Sequence, residues 1–272
     1  MPIKPYSRIE HLARSIWISR YSPKNCIVML KTAYTAYFDA SGTATEPAIT
    51  MSGFVSDVER WRRFEIKWQK LLAKESIDVF HMTDFVARKP PFDRWTKDAS
   101  GEAKRDQFFR SLLDVLFGQT IFSFAEMVPT CEYESANRAY QVNEWFGCPY
   151  AFAGLGCLLK VMQWVRRNNV QRLQVFIEKG DEGQGILDRI LQKVLKIDAN
   201  FKSKAEIVPF QAADIAAWEG SKFVKIAQRA GGDFGGLRRS FLALDSHPND
   251  WGAVVREDII KTCKNLKVPR RA

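Results

Sequence analysis

The stretch Ala36-Tyr37-Phe38-Asp39-Ala40-Ser41-Gly42-Thr43 decides the fold that the sequence predicts. Its apolar and aromatic residues predict a buried β-strand, and the Ser-Gly pair predicts a turn. A second apolar run follows at 48–55, so we expect the two segments to pair as a β-hairpin. Asp39 then lies at the exposed end of the first strand, where an acid commonly begins a site for metal-dependent phosphoryl transfer.

Downstream of the hairpin, apolar periodicity predicts helices that alternate with short strands. Ser56-Asp57 is expected to cap a helix, because Trp61, Phe64 and Trp68 then recur at helical spacing. Further strands are predicted at 77–82, 120–128, 172–178 and 207–210, and further helices at 101–117, 149–167, 186–195, 211–227 and 251–263. This order predicts an α/β fold in which a mixed β-sheet is flanked by α-helices.

The composition is that of an ordinary globular protein, with 272 residues of which 46% are apolar and 26% charged. We predict a basic N-terminal extension over residues 1–28 and a single domain with a C-terminal helical tail over residues 29–272. No apolar run approaches the ~20 residues that span a bilayer, and no secretory signal is evident. The five cysteines are scattered and form no C-x-x-C pair, so a reducing cytoplasm fits best.

The formal net charge of +10 favours an anionic partner, for which nucleic acid is the leading candidate. Two segments could contact it. The helix after Asp57 carries a basic face, and the loop 89–95 interleaves basic and aromatic residues with two prolines. A solvated helix face and a packed loop are the alternatives, and many basic proteins bind no nucleic acid. Membrane association is not expected, and a homodimer or a partner protein stays open.

Three acidic segments are the best candidates for chemistry. Asp39 and Glu178 each end a predicted strand, Asp181 follows three residues after Glu178, and Asp214 lies in the first turn of a helix. Sites in α/β sheets gather at strand ends, and a divalent cation offsets the repulsion between carboxylates brought together there. Mg²⁺ or Mn²⁺ prefers such oxygen ligands, and a pair of these ions can cleave a phosphodiester bond. The alternatives are a helix cap at Asp214, an ion pair of Glu178 with Lys179, and a turn cap at Asp39.

Other side chains are candidates for supporting roles. His81 could act as a general base or a ligand, although a lone histidine is more often a satisfied polar residue. Five residues are candidates for binding substrate: Ser41, Asp84, Lys202, Lys204 and Gln211. An exposed loop is the alternative for the two lysines. No Walker A loop, G-x-S-x-G elbow, H-E-x-x-H or G-x-G-x-x-G motif is present.

The motifs together resemble a known group, the bacterial domain of unknown function 3800 family, which is related to the ribonuclease H-like (retroviral integrase) superfamily. The resemblance covers about Met29 to Arg239. The matching pieces are Tyr-Phe-Asp39-x-Ser-Gly, Gly53-Phe-Val, Phe80-His81-Met-Thr-Asp84-Phe, Phe176-x-Glu178-x-Gly180-Asp181-x-Gly183 and Gln211-Ala-Ala-Asp214-Ile-Ala-Ala-Trp-Glu219. Their order and spacing are more specific than any single piece.

The resemblance implies a ribonuclease H-like fold and a metal-dependent nuclease site. Asp39, Glu178 and Asp214 would be the core acids, and His81, Asp84, Asp181 and Gln211 their neighbours. Relatives in mobile-element and defence settings imply a role of that kind. One position departs from the family, which usually has a second acid where this chain has Ala40. If the strand continues regularly, that position faces away from Asp39; in a bulge it could supply a ligand.

The leading hypothesis is therefore a Mg²⁺- or Mn²⁺-dependent nuclease in which Asp39, Glu178 and Asp214 hold the metal, with Asp181 beside them. Catalysis would use the three core acids and His81. A non-catalytic module that binds nucleic acid or protein is the alternative, and hydrolysis of a small phosphorylated compound is a third. Separations beyond about 8 Å between the three carboxyl groups would exclude a shared metal.

Overall fold

The computed structural model describes residues 33–43, 45–229 and 236–271. The predicted basic extension at 1–28 lies outside these residues. Among the helices described, none combines the length and the apolar character needed to cross a membrane.

A six-stranded mixed sheet forms the centre of the fold. Its strands are β1 (Tyr34–Ser41), β2 (Ala48–Asp57), β3 (Phe122–Pro129), β4 (Leu173–Glu178), β5 (Asn200–Lys202) and β6 (Asn249–Ala253), in the order β5-β4-β1-β2-β3-β6. The β1–β2 and β2–β3 pairs are antiparallel, whereas β1–β4, β4–β5 and β3–β6 are parallel. The parallel β1–β4 pair places the ends of both strands at one edge.

Helices cover both faces of the sheet. They are α1 (Val58–Lys74), α2 (Met82–Ala87), α3 (Ala99–Gln119), α4 (Thr130–Ala139), α5 (Val142–Phe146), α6 (Pro149–Arg167), α7 (Gln184–Ile190), α8 (Pro209–Arg229), α9 (Arg239–Asp245) and α10 (Arg256–Asn265). Because β-strand side chains alternate, Tyr37 of β1 packs in the cluster with α1, α3 and α8, while Phe38 packs with α6 on the other face. The predicted fold class, an α/β protein with a mixed sheet flanked by helices, is confirmed.

The local predictions around the hairpin are also confirmed. β1 and β2 pair without interruption from Tyr34 opposite Asp57 to Ser41 opposite Thr50. Asp57 caps α1, and its side chain accepts a hydrogen bond from the backbone N–H of Arg60.

Two predicted strands are wrong. Residues 77–81 form no strand, and α2 begins at Met82, because the backbone N–H groups of Phe80 and Met82 donate to side chains of α8 instead of to a neighbouring strand. Residues 207–210 are not a strand either, since α8 already begins at Pro209, a residue well suited to the first turn of a helix. The edge strand lies earlier, at Asn200–Lys202.

The C-terminal helix was also predicted to begin too early. Residues 249–253 form the edge strand β6, and α10 begins only at Arg256. The loop 89–95 is a packed cover, because Phe92 and Trp95 are buried in an aromatic cluster with Phe85 and Phe108.

His247 predicts a pH dependence of stability. The ring is buried and stacks on Phe117 at 5.3 Å, and burial lowers its pKa from 6.5 to about 4. Between these two pKa values the histidine binds a proton in the unfolded chain but not in the folded chain. The free energy of unfolding therefore falls as the pH drops from 6.5 towards 4. We expect this one group to remove up to about 3 kcal/mol. Urea unfolding of His247→Phe should show a weaker pH dependence than wild type over this window; equal slopes would contradict the assignment.

Candidate functional site

Three elements bring the predicted acids together. The parallel register that pairs Phe38 with Ile177 makes Asp39 and Glu178 the next neighbours along β1 and β4. By strand alternation both carboxylates lie on the face that α8 covers, and Asp214 lies in the second turn of that helix. Asp39 and Asp214 are buried, whereas the Glu178 side chain is 18% exposed.

Lys204 lies at the centre of this acid cluster, which we define as Asp39, Glu178, Asp214 and Lys204. Its Nζ is 3.0 Å from Asp39 Oδ2, 3.1 Å from Glu178 Oε2 and 3.5 Å from Asp214 Oδ2. Because each oxygen lies within 3.5 Å of the same atom, no two of them can be more than twice 3.5 Å apart. This is less than the separation of about 8 Å that would exclude a shared cation. The lysine is buried rather than on an exposed loop.

A tight turn presents Lys204 to the acids. Glu206 reaches back so that its Oε2 accepts hydrogen bonds from the backbone N–H of Ser203 at 3.0 Å and from its hydroxyl at 2.9 Å. The backbone N–H of Ile207 closes the turn on the Ser203 carbonyl at 3.1 Å. The position of the ammonium group is thus held by residues on both sides of it.

Asp214 links the cluster to the segment before α2. Its Oδ2 accepts a hydrogen bond from the backbone N–H of Met82 at 2.7 Å and lies 3.2 Å from His81 Nδ1. The side chain of His81 is 47% exposed, so its ring connects the buried carboxylate to solvent. His81 is therefore a solvent-facing imidazole that Asp214 holds at the edge of the cluster.

The cluster carries more negative than positive charge. Burial raises the pKa of Asp39 well above its usual range, and the neighbouring Asp214 and Glu178 add to the effect, although Lys204 opposes it. Burial alone would raise the pKa of Asp214, but the hydrogen bond from His81 and the charge of Lys204 bring it below its ordinary value. Burial would lower the pKa of Lys204, yet the carboxylates outweigh it and keep the group an ammonium. This balance favours the protonated form of Asp39, because one ammonium group does not neutralise three buried carboxylates.

Two further groups lie close to the acids. Burial, followed by the charge of Glu178, raises the pKa of Asp181 to about 6, so this carboxyl lies in the electrostatic field of the cluster. Tyr150, on the first turn of α6, was not predicted. Its hydroxyl is buried without a hydrogen-bond partner among the residues described, and burial together with Asp181 and Asp39 raises its pKa. A buried hydroxyl without a partner marks a place where a ligand oxygen or water would be stabilised.

Gln211 is held by the fold rather than presented to solvent. Its Oε1 accepts hydrogen bonds from Trp68 Nε1 and from the backbone N–H of Phe80, both at 2.9 Å, and the residue is buried. These bonds fix the segment that carries His81. Gln211 thus acts on the site through its neighbours.

Replacing Gln211 with leucine is expected to destabilise the protein by about 2–4 kcal/mol, because two buried N–H donors lose their acceptor. Gln107→Leu, at an exposed position of α3, is the control and should change the free energy of unfolding by less than about 0.5 kcal/mol. Urea unfolding measures both. A similar free energy for the two variants would show that the bonds to Gln211 contribute little.

The remaining predicted residues lie around the cluster. Ser41 ends β1, and Lys202 ends the edge strand β5, both partly exposed. Asp84 lies in α2, where its side chain pairs loosely with Lys89 at 3.5 Å and adds to the field at His81. Within the described residues none of these three side chains has a hydrogen bond or an ion pair with the buried carboxylates, so each belongs to the rim.

Ala40 lies on the opposite face of the sheet from Asp39. β1 stays in regular register through Ala40 opposite Met51, and Ala40 packs against the α6 side. Its backbone N–H donates to Asp39 Oδ1 at 2.7 Å, a bond that any residue except proline could make. An acid at this position would therefore face away from Asp214, so its replacement by alanine leaves the three converging carboxylates complete.

The donor set fits a hard divalent cation in type and direction. Three carboxylate oxygens converge on one point, and the buried Asp39 Oδ2 accepts no hydrogen bond of good geometry there. The spacing is that of an ammonium group, and over the described chain no three acidic, His or Cys side chains already have metal-ligand spacing. Because Mg²⁺ binds oxygen at about 2.0–2.1 Å, an ion would require Lys204 to leave and the carboxylates to draw closer.

Comparison with solved structures finds chains of similar fold. A chain from the structure of the PCNA:RNase HII complex of Archaeoglobus fulgidus aligns with 15% sequence identity over 86% of this chain and 89% of its own length, with a TM-score of 0.36. No protein-family model matches the chain, and no curated protein matches it either. The resemblance to the domain of unknown function 3800 family therefore depends on the motifs themselves.

Proposed function

We propose that the protein is a Mg²⁺- or Mn²⁺-dependent nuclease that cleaves phosphodiester bonds of DNA or RNA. The observation that carries this proposal is the convergence of Asp39, Glu178 and Asp214 on one buried point with an excess of negative charge. The motif resemblance to the domain of unknown function 3800 family supports the same reaction, and with it a role in a mobile element or in phage defence.

Asp39, Glu178 and Asp214 would hold the ion, with Asp181 close enough to contribute to the field or to a second position. A divalent ion in such a site supplies activation of a water and stabilisation of the leaving oxygen. The protein supplies the pre-oriented carboxylates, which the sheet and α8 hold in place without help from the ligand. Exclusion of water by burial strengthens every electrostatic interaction there.

His81 is the residue suited to move a proton. The hydrogen bond to Asp214 holds Nδ1 and raises the pKa of the ring, while almost half of the side chain faces solvent. A histidine held in this way can accept a proton at Nε2 from a water or pass one to a leaving oxygen. Asp84, on the same short helix, adds negative charge that favours the protonated ring.

Lys204 has two roles in this proposal. In the absence of a divalent ion, its ammonium group is the counter-ion that makes the buried carboxylates tolerable. With an ion bound, the ammonium group would leave this position and could contact a phosphate oxygen of the substrate. The turn at Ser203 keeps it within reach of the cluster in both states.

A specific observation also favours a second function, that of a non-catalytic module that binds nucleic acid or protein. Lys204 contacts all three acids and is buried, so it could serve as a permanent replacement for the ion. The two functions differ in one measurable property. A nuclease releases the lysine for a divalent cation, whereas the module retains it and binds no cation.

A cleavage assay tests the proposed function. The chain is incubated with labelled single-stranded and duplex DNA, RNA and DNA–RNA hybrid, with Mg²⁺, with Mn²⁺ or with EDTA. The nuclease proposal expects products from at least one substrate with metal and none with EDTA. Binding of nucleic acid without products under any metal condition would favour the module.

A further inference from the structure

We propose that a second site, an arginine-lined pocket beside α3, binds the phosphate of a nucleotide. The cavity has a volume of about 500 Å³ and lies between α2 and α3 on one side and the start of α9 on the other. Its lining consists of Phe85, Arg105, Asp106, Phe109, Arg110, Leu113, Arg238, Arg239, Ser240 and Ala243. The site lies outside the acid cluster and does not require that cluster to be catalytic.

The pocket has a surplus of positive charge. Four guanidinium groups line it against the single carboxylate of Asp106. Two of the four have acids behind them, since Arg238 Nε is 3.1 Å from Glu219 Oε1 and Arg105 Nη1 is 3.9 Å from Glu102 Oε2. Arg110 and Arg239 are exposed and have no ion pair within the described ranges. Like charges that line one pocket repel one another, and an anion bound among them would offset that repulsion.

Arg105 shows that the pocket is built rather than incidental. Its guanidinium group lies 4.2 Å from the centre of the Phe85 ring, and Nη2 donates to the Phe85 carbonyl at 3.2 Å. The Nε atom is buried and has no partner among the residues described. Burial lowers the pKa of this arginine, as do the charges of Arg88 and Arg238, whereas Glu102 and Asp106 raise it. A phosphate in the pocket would give these guanidinium groups an anionic partner.

The apolar part of the lining narrows the class of anion. Phe85 and Phe109 stack with ring centres 5.1 Å apart, and Phe109 is only partly buried at the pocket wall. Aromatic rings next to guanidinium groups suit a ligand that joins a flat ring to a phosphate, which is the chemistry of a nucleotide. A bare inorganic anion would leave the aromatic wall unused.

The pocket lies one helical turn from the acid cluster. The backbone N–H of Phe85 donates to the carbonyl of His81 at 2.9 Å. One turn of helix therefore separates His81, just before α2, from Phe85 in the pocket wall. The same phosphate-and-ring chemistry could belong to a single strand that continues to the acid cluster or to a free mononucleotide. Binding experiments separate these two sources.

The test measures fluorescence anisotropy of a labelled 12-nucleotide single strand with the full chain in EDTA, at several KCl concentrations. The variant is Arg110→Gln/Arg239→Gln, and the control is Arg166→Gln/Arg167→Gln, which removes the same charge from the exposed end of α6. We expect the pocket variant to lose about tenfold in affinity and to lower the salt slope by about 1–2, with the control within twofold of wild type. Thermal unfolding confirms that both variants fold.

Competition identifies the source of the nucleotide. Displacement of the labelled strand by millimolar AMP from wild type, weakened in the pocket variant, would identify a mononucleotide site. No displacement, together with the tenfold loss for the strand, would identify a strand-binding site. The same affinity and salt slope in the pocket and control variants would overturn the proposal. Because metal is absent, this result is independent of whether the acid cluster cleaves.

Discussion

Replacing Asp214 with asparagine is expected to lower metal-dependent cleavage by more than about 100-fold, because even residues behind a metal ligand typically contribute 10- to 100-fold. Asparagine keeps the size of the side chain and an oxygen for the Met82 N–H, but removes the charge that a cation needs. Met82 N–H and His81 Nδ1 both face Asp214 Oδ2, so an uncharged amide oxygen there also holds the imidazole less firmly. The loss should therefore appear in the rate with little change in the affinity for nucleic acid.

The control for Asp214→Asn is the same chemical change at a position outside the acid cluster. Asp114→Asn alters an exposed acid on α3 and should leave cleavage within twofold of wild type. Initial rates of product formation from a labelled strand, with saturating metal, compare the two variants. Cleavage by Asp214→Asn at the wild-type rate would remove this carboxylate from the proposed mechanism.

Replacing Lys204 with methionine is expected to destabilise the protein in EDTA by about 3–5 kcal/mol, the usual cost of leaving buried charges without their partner. Proton uptake by Asp39 offsets part of this loss, so the effect should shrink as the pH falls. Addition of Mn²⁺ should restore stability, since an ion that binds only the folded state at 100 times its Kd contributes about 2.7 kcal/mol. The restoration should exceed that of wild type, in which the ion must first displace the ammonium group.

Lys225→Met is the matched control for Lys204→Met. Lys225 pairs with Glu46 at 2.8 Å in a partly exposed setting, so its loss should change the free energy of unfolding by less than about 1 kcal/mol and without dependence on Mn²⁺. Urea unfolding in EDTA and in Mn²⁺ measures the free energy of unfolding of wild type and of both variants. A Lys204→Met protein that is destabilised but gains nothing from Mn²⁺ would identify the lysine as a permanent counter-ion and favour the module.

The sequence predicts the site best where the signals are local. Asp39 and Glu178 were expected to meet because each ends an apolar strand, and parallel pairing of those strands brings them side by side. The place of Asp214 near the strand ends could be predicted because the alanine-rich face of α8 lets this helix lie close to the sheet. The hairpin and the Asp57 cap follow from turn and capping residues.

What the sequence does not predict depends on contacts between distant segments. The strand expected at 77–82 fails because its N–H groups bond to Gln211 and Asp214, more than 130 positions later. Lys204 has no local feature that distinguishes an ion pair with buried acids from an exposed loop. The arginine-lined pocket likewise joins α3 to the start of α9, and only the tertiary fold brings its charges together.

Calorimetric titration with Mn²⁺ is the most direct test of whether the acid cluster binds a divalent cation. The account predicts saturable binding to wild type, tighter binding to Lys204→Met, and loss of that binding in Asp214→Asn. Binding should tighten as the pH rises, because burial raises the pKa of Asp39 and a proton there competes with the ion. Absence of saturable Mn²⁺ binding in both wild type and Lys204→Met would contradict a divalent-cation site among these carboxylates.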